Sequence, residues 1–214
     1  MALVRSKLMI LKSNLEDNTA IEVTAVAHAR LTEETAKEAR SKSFDEGLIV
    51  EYEKFSNGRN ITWWKDEKAG IGGVLDLVRM ESMFKPQPFL ISQCDNDEDT
   101  DQDLRYFKVL DVPTSNSMSG FFDLPDEGPS KQIYFLTAGS RHADGLDLDF
   151  NGYMEMACES KLFFYWQKVL IDIKKNKESP ETRDFREIMP TIFSDFDWDT
   201  FVEKYNSLRL SLNK

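Results

Sequence analysis

The chain has 214 residues, of which 41% are hydrophobic and 30% are charged. A chain of this length buries roughly 70% of the surface that its unfolded form exposes, so it needs neither disulfides nor a structural metal. Its 38 acidic and 27 basic residues give a net charge of -11, which repels phosphate backbones and attracts basic proteins. The composition excludes a disordered or fibrous chain and argues against a nucleic-acid ligand. A basic protein is a reasonable partner, although an acidic surface also serves solubility alone.

The two cysteines, Cys94 and Cys158, lie far apart in the sequence and form no C-x-x-C motif. Neither a disulfide framework nor a zinc cluster is predicted, as is typical of proteins of the reducing cytoplasm. The apolar run at residues 8–11 is too short for a signal peptide. No stretch approaches the roughly 20 apolar residues that span a bilayer. We therefore expect a cytoplasmic protein that does not contact a membrane.

The first half of the chain mixes helical and strand patterns. Residues 20–29 are rich in both alanine and β-branched residues, so their type stays open. Thr32 begins a predicted helix whose apolar face continues to Phe55, and Asn57-Gly58 ends it. Further predicted elements are strands at 61–64 and 72–78, joined as a hairpin, a short helix or turn at 81–84, and a strand at 88–92.

The second half alternates strands with turns and then becomes helical. Asp149 is predicted to cap one long helix that runs to about Lys175. Ser179-Pro180 and Ser194 mark the starts of two more helices. The predicted strands lie at 106–110, 118–124 and 132–137. Together these elements predict an α+β fold, with a twisted and largely antiparallel sheet flanked by helices in a single domain.

Aspartate occupies every second position of the segment 95–103, which invites a calcium interpretation. These residues are Asp95, Asp97, Asp99, Asp101 and Asp103. The EF-hand count fails, because the sixth position is Thr100 instead of glycine and the twelfth is Tyr106 instead of glutamate. The segment is therefore predicted to be a solvated loop without a metal ion. Its charge makes these aspartates candidates for contact with a basic partner.

Motifs for catalysis are not found in the sequence. His28 and His142 have no partners at metal-ligand spacing or beside a nucleophile. The glycines at 70–73 lack both the Lys-Ser/Thr of a P-loop and the spacing of a dinucleotide fingerprint. We predict no catalytic residue, no metal and no cofactor; an unrecognised hydrolase is the alternative.

The adjacent Trp63 and Trp64 lie on a predicted strand. Successive side chains of a strand face opposite sides, so only one of the two can enter the core. The other is expected to be partly exposed, and an exposed tryptophan is a preferred anchor for a protein partner. An edge tryptophan covered by a terminal helix is the alternative.

The serial order of three segments resembles the SUKH superfamily, which contains fungal cell-wall-synthesis regulators and bacterial immunity proteins. The helix-to-turn element at 52–58, the glycine-rich strand at 72–77 and the acidic-aromatic helix start at 149–155 are similar to family elements. The residues that carry the resemblance are Asn57, Gly58, Gly72, Gly73, Phe150, Tyr153 and Trp166. One departure is the lack of the family's usual proline before Phe44.

The resemblance implies a SUKH-like core over about 47–168 and a helical C-terminal extension over about 169–214. It also implies a non-catalytic, intracellular immunity protein that sequesters a toxin, which would be a basic protein such as a nuclease. A housekeeping scaffold or regulator is the alternative within the same family. Each signature residue also has a structural explanation: Gly58 as a left-handed cap, Gly72-Gly73 as a bulge or close backbone approach, and Trp166 as a core aromatic.

Overall fold

The structure of the chain, a computed structural model, describes residues 2–54 and 56–212. Phe55, which the sequence places at the end of a helix, lies outside the described residues. The helices are α1 (Ala2–Asp17), α2 (Glu33–Ser41), α3 (Glu46–Lys54), α4 (Met80–Met83), α5 (Pro88–Asn96), α6 (Phe150–Glu159), α7 (Trp166–Lys175), α8 (Pro180–Ile192) and α9 (Trp198–Leu208). The strands are β1 (Glu22–Ala27), β2 (Arg59–Asp66), β3 (Ile71–Leu77), β4 (Phe107–Thr114), β5 (Ser117–Leu124), β6 (Gly128–Pro129), β7 (Tyr134–Thr137) and β8 (Asp144–Gly145).

The strands form a sheet in the order β1-β2-β3-β4-β5-β7-β8, and β6 pairs with β5. Every described pairing is antiparallel. The predicted α+β fold, a largely antiparallel sheet flanked by helices, is confirmed. The segment 20–29, whose type the sequence left open, contains β1 at one edge of the sheet.

Local signals explain several element boundaries. The side chains of Thr32, Asp149 and Ser179 each accept a hydrogen bond from a backbone N–H three residues on, so each caps the helix predicted to follow it. The last helix starts later than predicted. Asp197, not Ser194, caps it by accepting a hydrogen bond from the backbone N–H of Thr200.

Two buried clusters lie on the two faces of the sheet. Phe121 and Phe135 belong to the main cluster, whereas their neighbours Phe122 and Leu136 belong to the second, because successive strand residues face opposite ways. The main cluster also contains residues of eight of the nine helices, from Leu8 of α1 to Tyr205 of α9, as far as the described residues show. The smaller cluster packs α5 and the 102–106 turn against β4, β5 and β7.

The predicted strand at 88–92 is wrong, since these residues begin α5. Pro88 occupies the first helical turn, where its fixed φ fits and its missing N–H is not needed. Leu90 and Cys94, four residues apart, face the smaller cluster together. The sequence shows this spacing, but a short apolar run between turn residues also favours a strand.

Two long helices predicted from the sequence are each divided in two. The helix from Thr32 onward stops at Ser41, because Ser43 takes a left-handed conformation with φ of 58° before α3 begins. The helix from Asp149 stops at Glu159, and α7 begins only at Trp166. The apolar run Leu162 to Trp166 cannot place all its side chains on one face of a helix, so it leaves the helix instead.

Candidate functional site

The sheet opens between β3 and β4. Within the described residues, these strands share one register pair, Leu77 with Asp111. Farther along β3, the segment 162–164 takes the place of the missing strand: the Val74 N–H donates to the Leu162 carbonyl over 2.8 Å. The Phe164 N–H donates to the Gly72 carbonyl over 3.0 Å. The divergence leaves a concave space between 162–165 and the β4–β5 turn.

The glycines of β3 permit this close approach. A Cβ atom on Gly73 would lie 2.4 Å from the Leu162 carbonyl oxygen and 2.5 Å from Nε1 of Trp63. A Cβ atom on Gly72 would lie 2.6 Å from the Trp63 carbonyl oxygen. The sequence prediction of a close backbone approach at Gly72-Gly73 is confirmed. Both glycines are required by packing, so they do not by themselves indicate a family.

Gly73→Ala is expected to lower the free energy of unfolding by about 1–3 kcal/mol, because the segment 162–164 must move away from β3. Gly128→Ala is the control, since a Cβ atom there meets nothing within 4 Å and only the positive φ of 72° is strained. Urea denaturation of both variants measures the difference. A Gly73→Ala variant as stable as the wild type would contradict the close approach.

The segment that fills the opening has an unusual backbone. Lys161, Leu162 and Tyr165 all have left-handed φ angles, of 52°, 62° and 59°. Such angles cost about 1–2 kcal/mol per residue that is not glycine. Two contacts hold Lys161, the first residue of this segment. The Trp63 Nε1–H donates to the Lys161 carbonyl over 2.6 Å, and the Lys161 ammonium pairs with Asp195 at 3.0 Å. Strained backbone of this kind concentrates at functional sites.

The space between these elements is a groove of about 620 Å³, which we call the Trp64 groove. Its walls come from β2, β3, the β4–β5 turn, the segment 163–165 and α8. The apolar lining consists of Trp64, Ala69, Ile71, Val74, Pro113, Phe163, Phe164, Tyr165 and Ile188. The Trp64 and Phe164 rings lie 5.0 Å apart between centroids. An open groove lined by aromatic side chains is the kind of surface that receives a side chain of a partner.

Two carboxylates of α8, Glu181 and Asp184, also line the Trp64 groove. Oε1 of Glu181 accepts a hydrogen bond from Nζ of Lys168 over 2.5 Å. Burial raises the pKa of Glu181, but the hydrogen bond and charge of Lys168, together with hydrogen bonds from the Glu181 backbone and Ser179, outweigh it, so the pKa lies below its ordinary value. Oε2 is buried and has no hydrogen-bond donor among the described residues. The wall of the groove thus carries an ionised carboxylate.

The predicted contact residues separate in the structure. Trp63 is fully buried in the main cluster, so it is not available to a partner, whereas Trp64 is half-buried in the groove. The expectation that only one tryptophan enters the core is confirmed.

The five aspartates of 95–103 do not line the Trp64 groove. Asp95 pairs with Arg105, and both Asp97 and Asp99 pair with Arg141. Asp101 accepts a hydrogen bond from the backbone N–H of Asp103 and caps the 102–106 turn. Their charge is therefore partly balanced within the chain, and their contribution to binding would be through the long-range field.

The remaining signature residues have structural roles. Asn57 is buried, donates to both carboxylate oxygens of Glu81 at 2.8 Å and accepts from the Met80 N–H. Gly58 has a φ of 92°, which confirms the left-handed conformation predicted for it. The aromatic members, Phe150, Tyr153 and Trp166, are all buried in the main cluster, as predicted for Trp166.

A buried polar network crosses the core. The Tyr153 hydroxyl donates to Oδ2 of Asp111 over 2.5 Å, and the Asp76 backbone N–H donates to Oδ1 over 2.7 Å. Gln167 donates to the same hydroxyl over 3.1 Å. Burial raises the pKa of Asp111 to about 6. Since Asp111 and Tyr153 are both fully buried, the network connects β4 to α6 and α7 and does not offer a reactive group to a ligand.

The sequence prediction missed most of the groove. The sequence pattern places Phe164 and Tyr165 within a helix and Glu181 at the start of another, whereas α7 begins only at Trp166. The one available signal was the unbroken apolar run from Leu162 to Trp166, which no amphipathic helix accommodates. That run predicts a break, but not that its residues would line β3.

Other functional signals are sparse in the described residues. Those residues contain no group of three or more His, Cys, Asp or Glu side chains that could hold a metal ion. Cys94 and Cys158 are both buried and free. None of the described helices has the length and apolar character that crossing a membrane requires.

Comparison with known proteins found no matching family model, no matching curated protein and no matching solved structure. The resemblance to the SUKH superfamily therefore stays a prediction.

Proposed function

We propose that the chain is a non-catalytic protein-binding domain that sequesters a basic partner protein in the cytoplasm. The observation that carries the proposal is the Trp64 groove, an open aromatic concavity with ionised carboxylate at its wall. The net charge of -11 supports it, because such a field accelerates encounter with a basic surface. On the basis of the resemblance to the SUKH superfamily, the proposed partner is a toxin domain, and the proposed mechanism is that the chain covers the toxin and so blocks its activity.

A regulator or scaffold that binds a housekeeping protein is the second candidate. The same groove supports it, since a preformed aromatic pocket receives a segment of any partner of suitable shape and charge. The two candidates differ in what the partner does when it is released. A toxin harms the cell unless the chain is present, whereas a housekeeping protein does not.

The first test is an affinity capture of the tagged chain from lysate of its source organism, at low and high salt, with mass spectrometry. The captured protein is then purified and titrated calorimetrically with the wild type and with Trp64→Ala. We expect Trp64→Ala to weaken binding about thirty-fold, the effect of a hot-spot residue. Phe89→Ala is the matched control, because Phe89 is exposed but does not line the groove.

Expression of the captured protein with and without the chain separates the two candidates. Rescue of growth by the wild type, and weaker rescue by Trp64→Ala, supports an immunity protein. Equal growth in both cases favours a regulator. A captured partner that binds the Trp64→Ala variant as tightly as the wild type would overturn the assignment of binding to the groove.

A further inference from the structure

The wall of the Trp64 groove combines flat aromatic rings with carboxylate oxygens. Trp64 and Phe164 lie next to each other, and Tyr165 follows along the same segment. Glu181 and Asp184 are three residues apart on α8, a spacing that puts their side chains on one face of the helix. A neutral apolar ligand that covered Asp184 would remove its water without supplying a donor, and acceptors that become buried in proteins are normally paired.

The charge of this wall is only partly balanced by the chain itself. Lys168 contacts one oxygen of Glu181 and leaves the buried Oε2 without a donor. Asp184 is exposed and has no salt bridge in the part of the chain that the structure describes. The Asp184 carboxylate can therefore accept N–H groups of a ligand, and the ionised Glu181 beside it adds negative charge without releasing Lys168.

Among natural side chains, arginine matches both features. Its planar guanidinium stacks on aromatic faces and presents five N–H donors in a fixed fork, whereas the lysine ammonium is compact and strongly hydrated. Its three methylene groups suit the apolar lining of the groove.

We propose that the Trp64 groove takes an arginine side chain from the basic partner, with Trp64, Phe164 and Tyr165 around the guanidinium, Asp184 accepting its N–H groups and the Glu181 carboxylate attracting its charge. This inference rests on the proposed function and names the chemistry that the groove recognises. The arginine side chain anchors the complex, and the negative field of the acidic chain increases the rate at which the basic partner associates.

The probes for the test are acetyl-Gly-Arg-Gly-amide, its neutral isostere with citrulline, and its lysine counterpart. Binding is followed by NMR through the indole N–H signal of Trp64, which is assigned by its loss in Trp64→Phe. We expect a saturable shift with the arginine peptide and affinities about ten-fold lower for the citrulline and lysine peptides. The double variant Glu181→Gln/Asp184→Asn is expected to lower the affinity for the arginine peptide by about ten-fold.

The control variant is Glu187→Gln/Asp199→Asn, which makes the same change of net charge at exposed positions outside the groove. The inference is overturned if citrulline binds as well as arginine, if the control variant weakens binding as much as the groove variant, or if no peptide gives a saturable shift. The captured partner separates the two proposals. If binding of the partner is weakened by Trp64→Ala but not by Glu181→Gln/Asp184→Asn, the groove is used but the arginine inference is overturned. If neither variant weakens binding of the partner, the proposed function is overturned.

Discussion

Alanine in place of Trp63 is expected to lower the free energy of unfolding by about 3–5 kcal/mol. Trp63 is fully buried, and its ring packs edge-on against Phe193 at 5.3 Å between centroids. The substitution removes the largest kind of core side chain and also leaves the Lys161 carbonyl without its 2.6 Å hydrogen bond. Because that bond holds the left-handed segment against β3, the loss should extend to the Trp64 groove.

The neighbouring tryptophan is the natural comparison. Trp64→Ala should cost only about 1 kcal/mol of unfolding free energy, because Trp64 is half-buried and lines an open groove. Urea denaturation followed by circular dichroism measures both variants. Similar losses for the two substitutions would mean that the assignment of one side chain to the core and the other to a binding surface is incorrect.

The stability of the chain should depend on pH through Asp111. Its pKa is about 6 in the folded protein because of burial, above the ordinary aspartate value of 3.8. The folded state therefore binds a proton more tightly than the unfolded state between these values. Protonation of Asp111 therefore stabilises the folded state. This contribution to the free energy of unfolding is fully present below about pH 3.8 and is lost as the pH rises through about 6, at up to about 1.4 kcal/mol per pH unit.

Asp111→Asn removes this titration, because the amide stays neutral at every pH. Its oxygen can still accept from the Asp76 N–H. Between about pH 5.2 and about pH 7.5, the wild type should lose about 1 kcal/mol of unfolding free energy relative to the variant. Asp126→Asn, at an exposed turn, controls for the change in net charge. Parallel pH profiles of the wild type and Asp111→Asn would exclude Asp111 as the source of the dependence.

Local signals in the sequence predicted much of the fold. The hairpin of β2 and β3 follows from a β-branched, aromatic strand and an alternating one on either side of a charged turn. The three helix starts at Thr32, Asp149 and Ser179 follow from side chains that cap the backbone. These features depend on neighbours in the sequence, which is why the residues alone suffice to predict them.

The errors came from contacts between distant parts of the chain. No local pattern shows that residues 162–164 take the place of a strand beside β3, about 90 residues earlier in the sequence. The candidate site depends on that contact, so only Trp64 of the groove was predicted. The alternating aspartates were conspicuous in the sequence, but Arg105 and Arg141 pair with three of them in the structure.

The single register pair between β3 and β4 has a consequence for how the molecule fluctuates. Strands β1 to β3 form one ladder and β4 to β8 another, and within the described sheet the two blocks are joined only near the Leu77–Asp111 pair. Blocks of this kind open in separate cooperative events that amide exchange detects. The hydrogen bonds between 162–164 and β3 hold this segment on the first block. The donor amides of these bonds, Val74 and Phe164, should therefore exchange at a common rate. A bound partner that bridges α8 and β2 would slow that exchange without any change in the shape of the sheet.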